Sequence, residues 1–268
     1  MRAPVKFTRP PVYEVACGVY FSGQKPLLTA HVGAYWQRIR KEFPNVEDAA
    51  PLQGVVEQPG VGPVIDFQIS HLPQLRRAWF LSPNGSNLIQ LQQDRFLFNW
   101  KRASDTDSYP SYAVVIEQFE QHLADFLTFC REVGVGELTF RQFELAYVNG
   151  ISRANGLDVT GTSGLLVDHM RAVRSDRFLP EPENFIWTTG YQLPEGRGRL
   201  HVTAQTALNA VTQEPLVRLD MIARGITPDS SEAGRRSWFD LAHAWITHGF
   251  ADVTSPSLHA ESHWQRTS

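Results

Sequence analysis

The sequence predicts an α+β fold: a largely antiparallel sheet with helices packed on one face, built from two related halves that each run strand, helix, three strands, helix. Three observations lead there. Tyr13-Glu14-Val15-Ala16 is answered late in the chain by Phe143-Glu144-Leu145-Ala146. Several segments carry apolar stripes at helical spacing and end in Gly or Pro. Turn signals, above all Pro83-Asn84-Gly85, cut much of the remainder into short alternating runs. The expected units are residues 1–136, residues 137–254 and a helical tail over 255–268.

Pro10-Pro11 forbids helix and delivers an extended chain into VYEVACGVYF. Period-two alternation there puts Tyr13, Val15, Cys17, Val19 and Phe21 on one face, with Glu14 on the other. In LLTAHVGAYWQRIRKEFP, Leu28, Val32, Tyr35, Trp36, Ile39 and Phe43 repeat at helical spacing, and Pro44 ends the run. The cations of its last turn suit the negative end of the helix dipole and need no ligand. Residues 44–75 are rich in Pro and Gly and read as a long connection, with VIDFQIS as a short strand. RRAWFLSPNGSNLIQLQQDRFLFNWKR reads as three strands with turns at Pro83-Asn84-Gly85 and Gln93-Asp94, and puts Phe96, Phe98 and Trp100 on one face. YAVVIEQFEQHLADFLTFCREVG is a helix with a stripe from Tyr112 to Cys130 and Gly134 as its C-terminal cap.

The second half repeats the grammar. QFELAYVNGI is a strand, GTSGLLVDHMRAVRS a shorter helix capped by Thr162 or Ser163, and FIWTTGYQL, RLHVTAQTAL and PLVRLDMIARG are three strands. RRSWFDLAHAWITHG is a helix presenting Trp238, Leu241, Ala242, Trp245 and Ile246, closed by Gly249.

Composition sets outer limits. Hydrophobic residues make up 42% of the 268, charged residues 20% and aromatics 11%, which suits a globular chain with a large core. A net charge of −3 advertises no global basic field for nucleic acid. Cys17 and Cys130 read as core hydrophobes, not as a disulfide or metal pair. No apolar run reaches ~18 residues, and the N-terminus lacks the apolar core of a secretory signal, so no membrane span is expected and the setting expected is cytoplasmic.

PPVYEV, YWQRIRKEFP, WFLSPNGSNLIQLQQDRFLFNWKR, the ELAYVN strand and the closing HWQR together resemble a family of uncharacterised proteins found sporadically in bacteria and archaea. The resemblance spans nearly the whole chain and brings no activity or catalytic residues with it. The patchy distribution implies a mobile accessory role, such as phage defence or a toxin–antitoxin partnership.

Chemistry-bearing residues are sparse. HAESH sets His259 and His263 four apart, which on a helix is a two-histidine metal geometry. A zinc-protease motif needs Glu directly after the first His, whereas here Glu261 follows one place later, so the favoured reading is a solvated helix with Trp264 docked on the body. Glu14 and Glu144 occupy matching places in apolar strands. They either face one another and share a proton or cation, or pair with cross-strand cations such as Arg95, Lys101, Arg141 or Arg218, the favoured reading. SPNGSN and PEGRGR lack the strand-to-helix setting of a phosphate loop, and GTSGL lacks the second Gly of a nucleophile elbow.

The function expected is therefore non-catalytic: binding of another protein through an open sheet or helical face, with no cofactor and with a monomer or homodimer equally acceptable. A nucleic-acid-binding module is the alternative, with Arg95, Trp100, Lys101 and Arg218 as binding residues; it gains if Gln90, Gln92, Asn99 and Arg218 share one open, positive face. An enzyme using the carboxylates or C-terminal histidines is third.

Overall fold

The computed structural model describes residues 5–58, 62–65, 75–104, 107–162, 164–169, 178, 183–209, 212–229 and 231–267. At its centre β1 (Val12–Gly23) runs antiparallel to β8 (Leu138–Ser152), with Ala16 directly opposite Ala146. β7 (Arg95–Lys101), β6 (Asn87–Gln92), β5 (Arg77–Leu81) and β2 (Asn45–Ala49) continue outward from β1. β11 (Pro215–Gly225), β10 (Gly198–Leu208) and β9 (Ile186–Gln192) continue outward from β8. The result is one nine-stranded antiparallel sheet. Apart from β2, both sides place the first strand of a half at the centre, then its last, its third and its second. A separate hairpin pairs β3 (Val55–Gln58) with β4 (Gly62–Ile65) inside the Pro/Gly-rich connection. β2 also falls there, so a stretch expected to be a long, partly extended connection supplies an edge strand; the part of VIDFQIS beyond Ile65 lies outside the described residues.

Alternation decides which face each residue takes. Val15, Cys17, Val19, Phe21, Phe143, Leu145, Phe96, Phe98, Leu219 and Met221 all fall on one side and are buried in a single core. Tyr13 departs from the expected face. A bulge between Val12 and Glu14 gives Val12 the core place and lays the Tyr13 ring beside Gly150 on the other side.

Three long helices cover the core side: α1 (Thr29–Ile39), α2 (Tyr112–Glu132) and α4 (Glu232–Val253); α3 (Leu157–Thr160) is a single turn. α1 stops at Ile39, one turn short of the expected end, yet Phe43 is still buried beyond it. Its Arg38 reaches Asp125 (2.7 Å) and Glu132 (2.5 Å) on α2. The α2 stripe is buried as expected, and Gly134 takes the left-handed conformation that closes the helix, at φ +75°. Phe126 of α2 stacks on Phe96 (5.0 Å between centroids) and meets Tyr35 (5.2 Å) and Phe21 (5.7 Å). Phe119 of α2 meets Phe239 of α4 at 5.1 Å, tying the two helices together.

α4 is capped by Ser231, whose hydroxyl accepts from the Gly234 amide. It does not close at Gly249, as the sequence suggested, but runs on to Val253. Gly249 is instead where the helix approaches Leu200 and Met221 most closely: a Cβ there would lie 3.2 Å from each. Of the helix expected over 161–175, residues 163 and 170–175 lie outside the described residues, and Val167–His169 form a 3-10 turn. The tail is a 3-10 turn (Pro256–His259) followed by turns, not an α-helix. The main chain of residues 264–267 instead pairs with residues 6–9. Trp264 docks on the body as expected, buried against Phe250 with its indole N–H donated to the Asn155 carbonyl.

Truncating the aromatic hub tests this packing. Phe126→Ala is expected to cost about 3–5 kcal/mol in urea denaturation, and Val114→Ala on the exposed side of the same helix less than about 0.5 kcal/mol.

Candidate functional site

The face of the sheet away from the helices carries the other half of each strand's alternation, and it is polar. Glu14 and Tyr20 stand on β1, Gln142 and Glu144 on β8, Arg95, Asn99 and Lys101 on β7, Gln90 and Gln92 on β6, Arg218, Asp220 and Arg224 on β11, Arg199, His201, Thr203 and Gln205 on β10. Polar groups this closely packed must be paired, and two chains of hydrogen bonds run across the strands to do so.

In the first chain, Arg77 (3.1 Å) and the Trp79 indole (3.2 Å) donate to Gln90, Gln90 donates to Asn99 (2.8 Å), and Asn99 donates to Glu14 (2.5 Å). In the second, Arg95 donates to the Tyr20 hydroxyl (3.3 Å), Tyr20 to Glu144 (3.0 Å), and Arg224 to the same Glu144 oxygen (2.6 Å). Burial, reinforced by the Glu144 carboxylate, pushes the Tyr20 phenol well up, so it stays a donor. The Arg95 side chain, 1% exposed, is held by Asp94 (2.9 Å) and lies 4.3 Å over the Tyr20 ring.

A strap from the long connection lies over part of this face. Gln92 exchanges two hydrogen bonds with the Leu52 main chain (2.9 and 3.1 Å), and Arg95 donates to the Gln53 carbonyl (3.3 Å). Gln142 donates to the Val55 carbonyl and accepts from the Glu57 amide, both at 2.8 Å. The Glu57 carboxylate, 5% exposed, meets Arg199 (3.3 Å) and His201 (2.5 Å).

The residues singled out by the sequence separate in the structure. Arg95, Lys101 and Arg218 share the polar face with Gln90, Gln92 and Asn99. Trp100 does not: it points into the core, 6% exposed, against Tyr109 at 5.5 Å, because its register places it with Phe96 and Phe98. Arg218 pairs within its own strand with Asp220 (2.8 Å), and Lys101 lies 6.0 Å over the Trp79 ring. Glu14 and Glu144 stand symmetrically about the Ala16–Ala146 pair, four residues apart along the strands, roughly 14 Å by strand rise and spacing. They do not converge on a shared proton or cation. Glu144 takes a cross-strand cation, as the favoured reading required, but that cation is Arg224 and none of those named from sequence. His259 sits in the 3-10 turn and bonds the Thr254 hydroxyl (2.9 Å), so it shares no helical face with His263. Among the described residues no cluster of three or more His, Cys, Asp or Glu is placed to hold a metal.

Sequence reasoning also missed a polar cluster between α2 and α4. Tyr147 bonds Tyr109 (2.8 Å) and the His243 Nδ1 (3.0 Å); Tyr112 stacks on His243 at 4.0 Å and donates to Asp240 (2.8 Å). Burial pushes His243 down to about 4, a shift that Asp240 only partly opposes, and pushes the Tyr147 phenol up. A neutral imidazole between unionised phenols orders the helix interface and offers no activated nucleophile. Elsewhere, a groove of about 580 Å³ beside α1 has Leu27, Leu28, Val32 and Ala78 in its lining and the Arg76–Asp48 pair (3.4 Å) at hand.

Arg224 and His201 were legible in principle from the strict alternation of PLVRLDMIARG and RLHVTAQTAL; Glu57 had no signal. No protein-family model, curated protein or solved structure matches the chain.

Two variants probe these networks. Arg224→Ala leaves the Glu144 carboxylate without its cation and is expected to cost about 2–3 kcal/mol in denaturant, short of the ~3–5 of a fully buried pair because Arg224 keeps some water. For His243, the unfolded chain binds a proton near 6.5 and the folded chain only near 4, so its contribution is complete above pH ~6.5 and is lost as pH falls toward 4. The total is about 3 kcal/mol, and His243→Gln is expected to flatten that limb of a stability–pH profile.

Proposed function

We propose that this chain is a non-catalytic interaction protein that binds another protein, acting in the cytoplasm as part of a bacterial accessory system such as phage defence or a toxin–antitoxin pair. The observation that carries the reading is β9. Among the described residues its main chain is paired only with β10, while the Tyr191 hydroxyl donates to Asp168 (3.3 Å). Its sequence, IWTTGYQ, holds no charge and no Pro, and Ile186 is 74% exposed. An uncharged edge with no described strand beside it is what natural sheets avoid unless something pairs with it, and strand addition is a common mode of protein recognition. The opposite edge, β2, is short and carries Glu47 and Asp48.

Charge balance on the polar face favours a protein over nucleic acid. Arg95 is matched by Asp94, Arg218 by Asp220, Arg224 by Glu144 and Arg199 by Glu57, and Lys101 stands opposite Glu14, so beyond Arg77 little cationic surplus remains on this face to displace counterions from a phosphate backbone. The accessory setting rests on the family resemblance. The common strand order of the two halves supports their origin from one repeated unit, and among the described residues no helix is long and apolar enough to cross a membrane.

The test is co-expression of the tagged chain with the product of its adjacent gene. The natural chain is expected to retain that product at low and high salt alike, and Ile186→Lys, which puts a charge on the uncharged edge, to lose at least tenfold of it. Recovery of the chain alone, or equal retention by the variant, overturns the reading. Loss of an RNA or DNA partner as salt rises would transfer support to nucleic acid.

A further inference from the structure

The strap over residues 52–57 is held in an unusual way. Among the described residues its main chain makes no ladder hydrogen bond to the main chain of the nine-stranded sheet; β3 pairs along its length only with β4. Side chains of the sheet face grip its main chain instead. Gln92 and Gln142 each use both ends of their carboxamides, one on Leu52 and one spanning Val55 and Glu57. A carboxamide offers one acceptor and a donor pair, as a peptide group offers one of each, so this is recognition of an extended chain whatever its side chains. Specificity enters at one place, where the Glu57 carboxylate lies between Arg199 and His201, with the positive charge of Arg224 also close enough to act on it.

Covering a core does not require such a floor. Gln142 is 1% exposed, and buried carboxamides and guanidinium groups are tolerated only when paired. A track of Gln92, Arg95, Gln142, Arg199 and His201 therefore matches an extended, acid-bearing segment, and the chain's own residues 52–57 satisfy it in cis.

We propose that this track is a peptide-binding site, and that its ligand in trans is an extended segment of another polypeptide carrying an acidic side chain where Glu57 now sits. The ligand displaces the strap. The inference goes beyond the edge-strand reading, because the track crosses the sheet face from β6 to β10 and needs nothing paired to β9. As the strap is tethered, it competes at high effective concentration, and the site opens fully only when the strap's grip is loosened.

The probe is a labelled synthetic peptide copying residues 50–57, titrated by fluorescence anisotropy into the full chain. Glu57→Gln in the chain removes the strap's charge while leaving the track intact, and is expected to bind the peptide at least tenfold more tightly than the natural chain. Adding Arg199→Ala to that variant, or replacing the peptide's Glu by Gln, is expected to erase the gain. Equal affinity of the natural and Glu57→Gln chains, or of the Glu and Gln peptides, overturns the proposal. If Glu57→Gln does not fold, the natural chain gives a second reading. Saturating peptide is expected to speed hydrogen exchange at the Glu57 amide, now bonded to Gln142, at least severalfold, and unchanged exchange overturns the proposal equally. Loss of the edge-dependent partner on Ile186→Lys would not alter either readout, so the two readings fail separately.

Discussion

Antiparallel pairing of β1 with β8 is the contact from which the rest of the molecule follows. It joins two sets of strands into one sheet and fixes their register at Ala16 opposite Ala146. Because side chains alternate, that single register sends Val15, Cys17, Val19, Phe143 and Leu145 beneath the helices and Glu14, Tyr20, Gln142 and Glu144 to the other face. A slip of one residue would bury two carboxylates among phenylalanines and expose the core. The bulge at Tyr13 is the local price of keeping this register while turning the incoming chain.

The two faces then solve different problems. Under the helices, apolar area and aromatic contacts, both edge-on and stacked, dominate, with the hydrogen-bonded Tyr109–Tyr147–His243 cluster at the helix interface. On the other face, polar side chains shielded from water must be satisfied by one another, and the two cross-strand chains do this without a metal-like convergence of carboxylates. The cost of desolvating Arg95, Arg224 and Glu144 is offset because each charge finds its opposite within hydrogen-bond reach. Such a network orders the surface and fixes which groups point where.

Much of the fold was readable because it rests on periodicity. The α2 stripe, the strands around Pro83-Asn84-Gly85 and the strands of PLVRLDMIARG and RLHVTAQTAL follow from period 3.6 or 2 alone. What escaped was non-periodic. Gly249 looked like a helix end because Gly usually is one, whereas here it marks close contact with Leu200 and Met221. The tail's histidines looked like a helical pair because spacing says nothing about the Pro256 turn. Trp100 stands beside Lys101 and Arg102 in sequence, which suggests a surface, while its parity with Phe96 and Phe98 places it inside. Glu57 lay in a Pro- and Gly-rich stretch whose structure depends on Gln92, Gln142, Arg199 and His201, partners 35 or more positions away in a chain of 268 residues.

The inequality of the two outer strands carries a further consequence. A sheet with two adhesive borders can add neighbours at both and grow into a fibre. Here β2 is short and negatively charged, so of the two described outer strands β9 is the one without such a guard. A second copy joined through its own β9 would consume both uncharged borders and close that assembly at two chains.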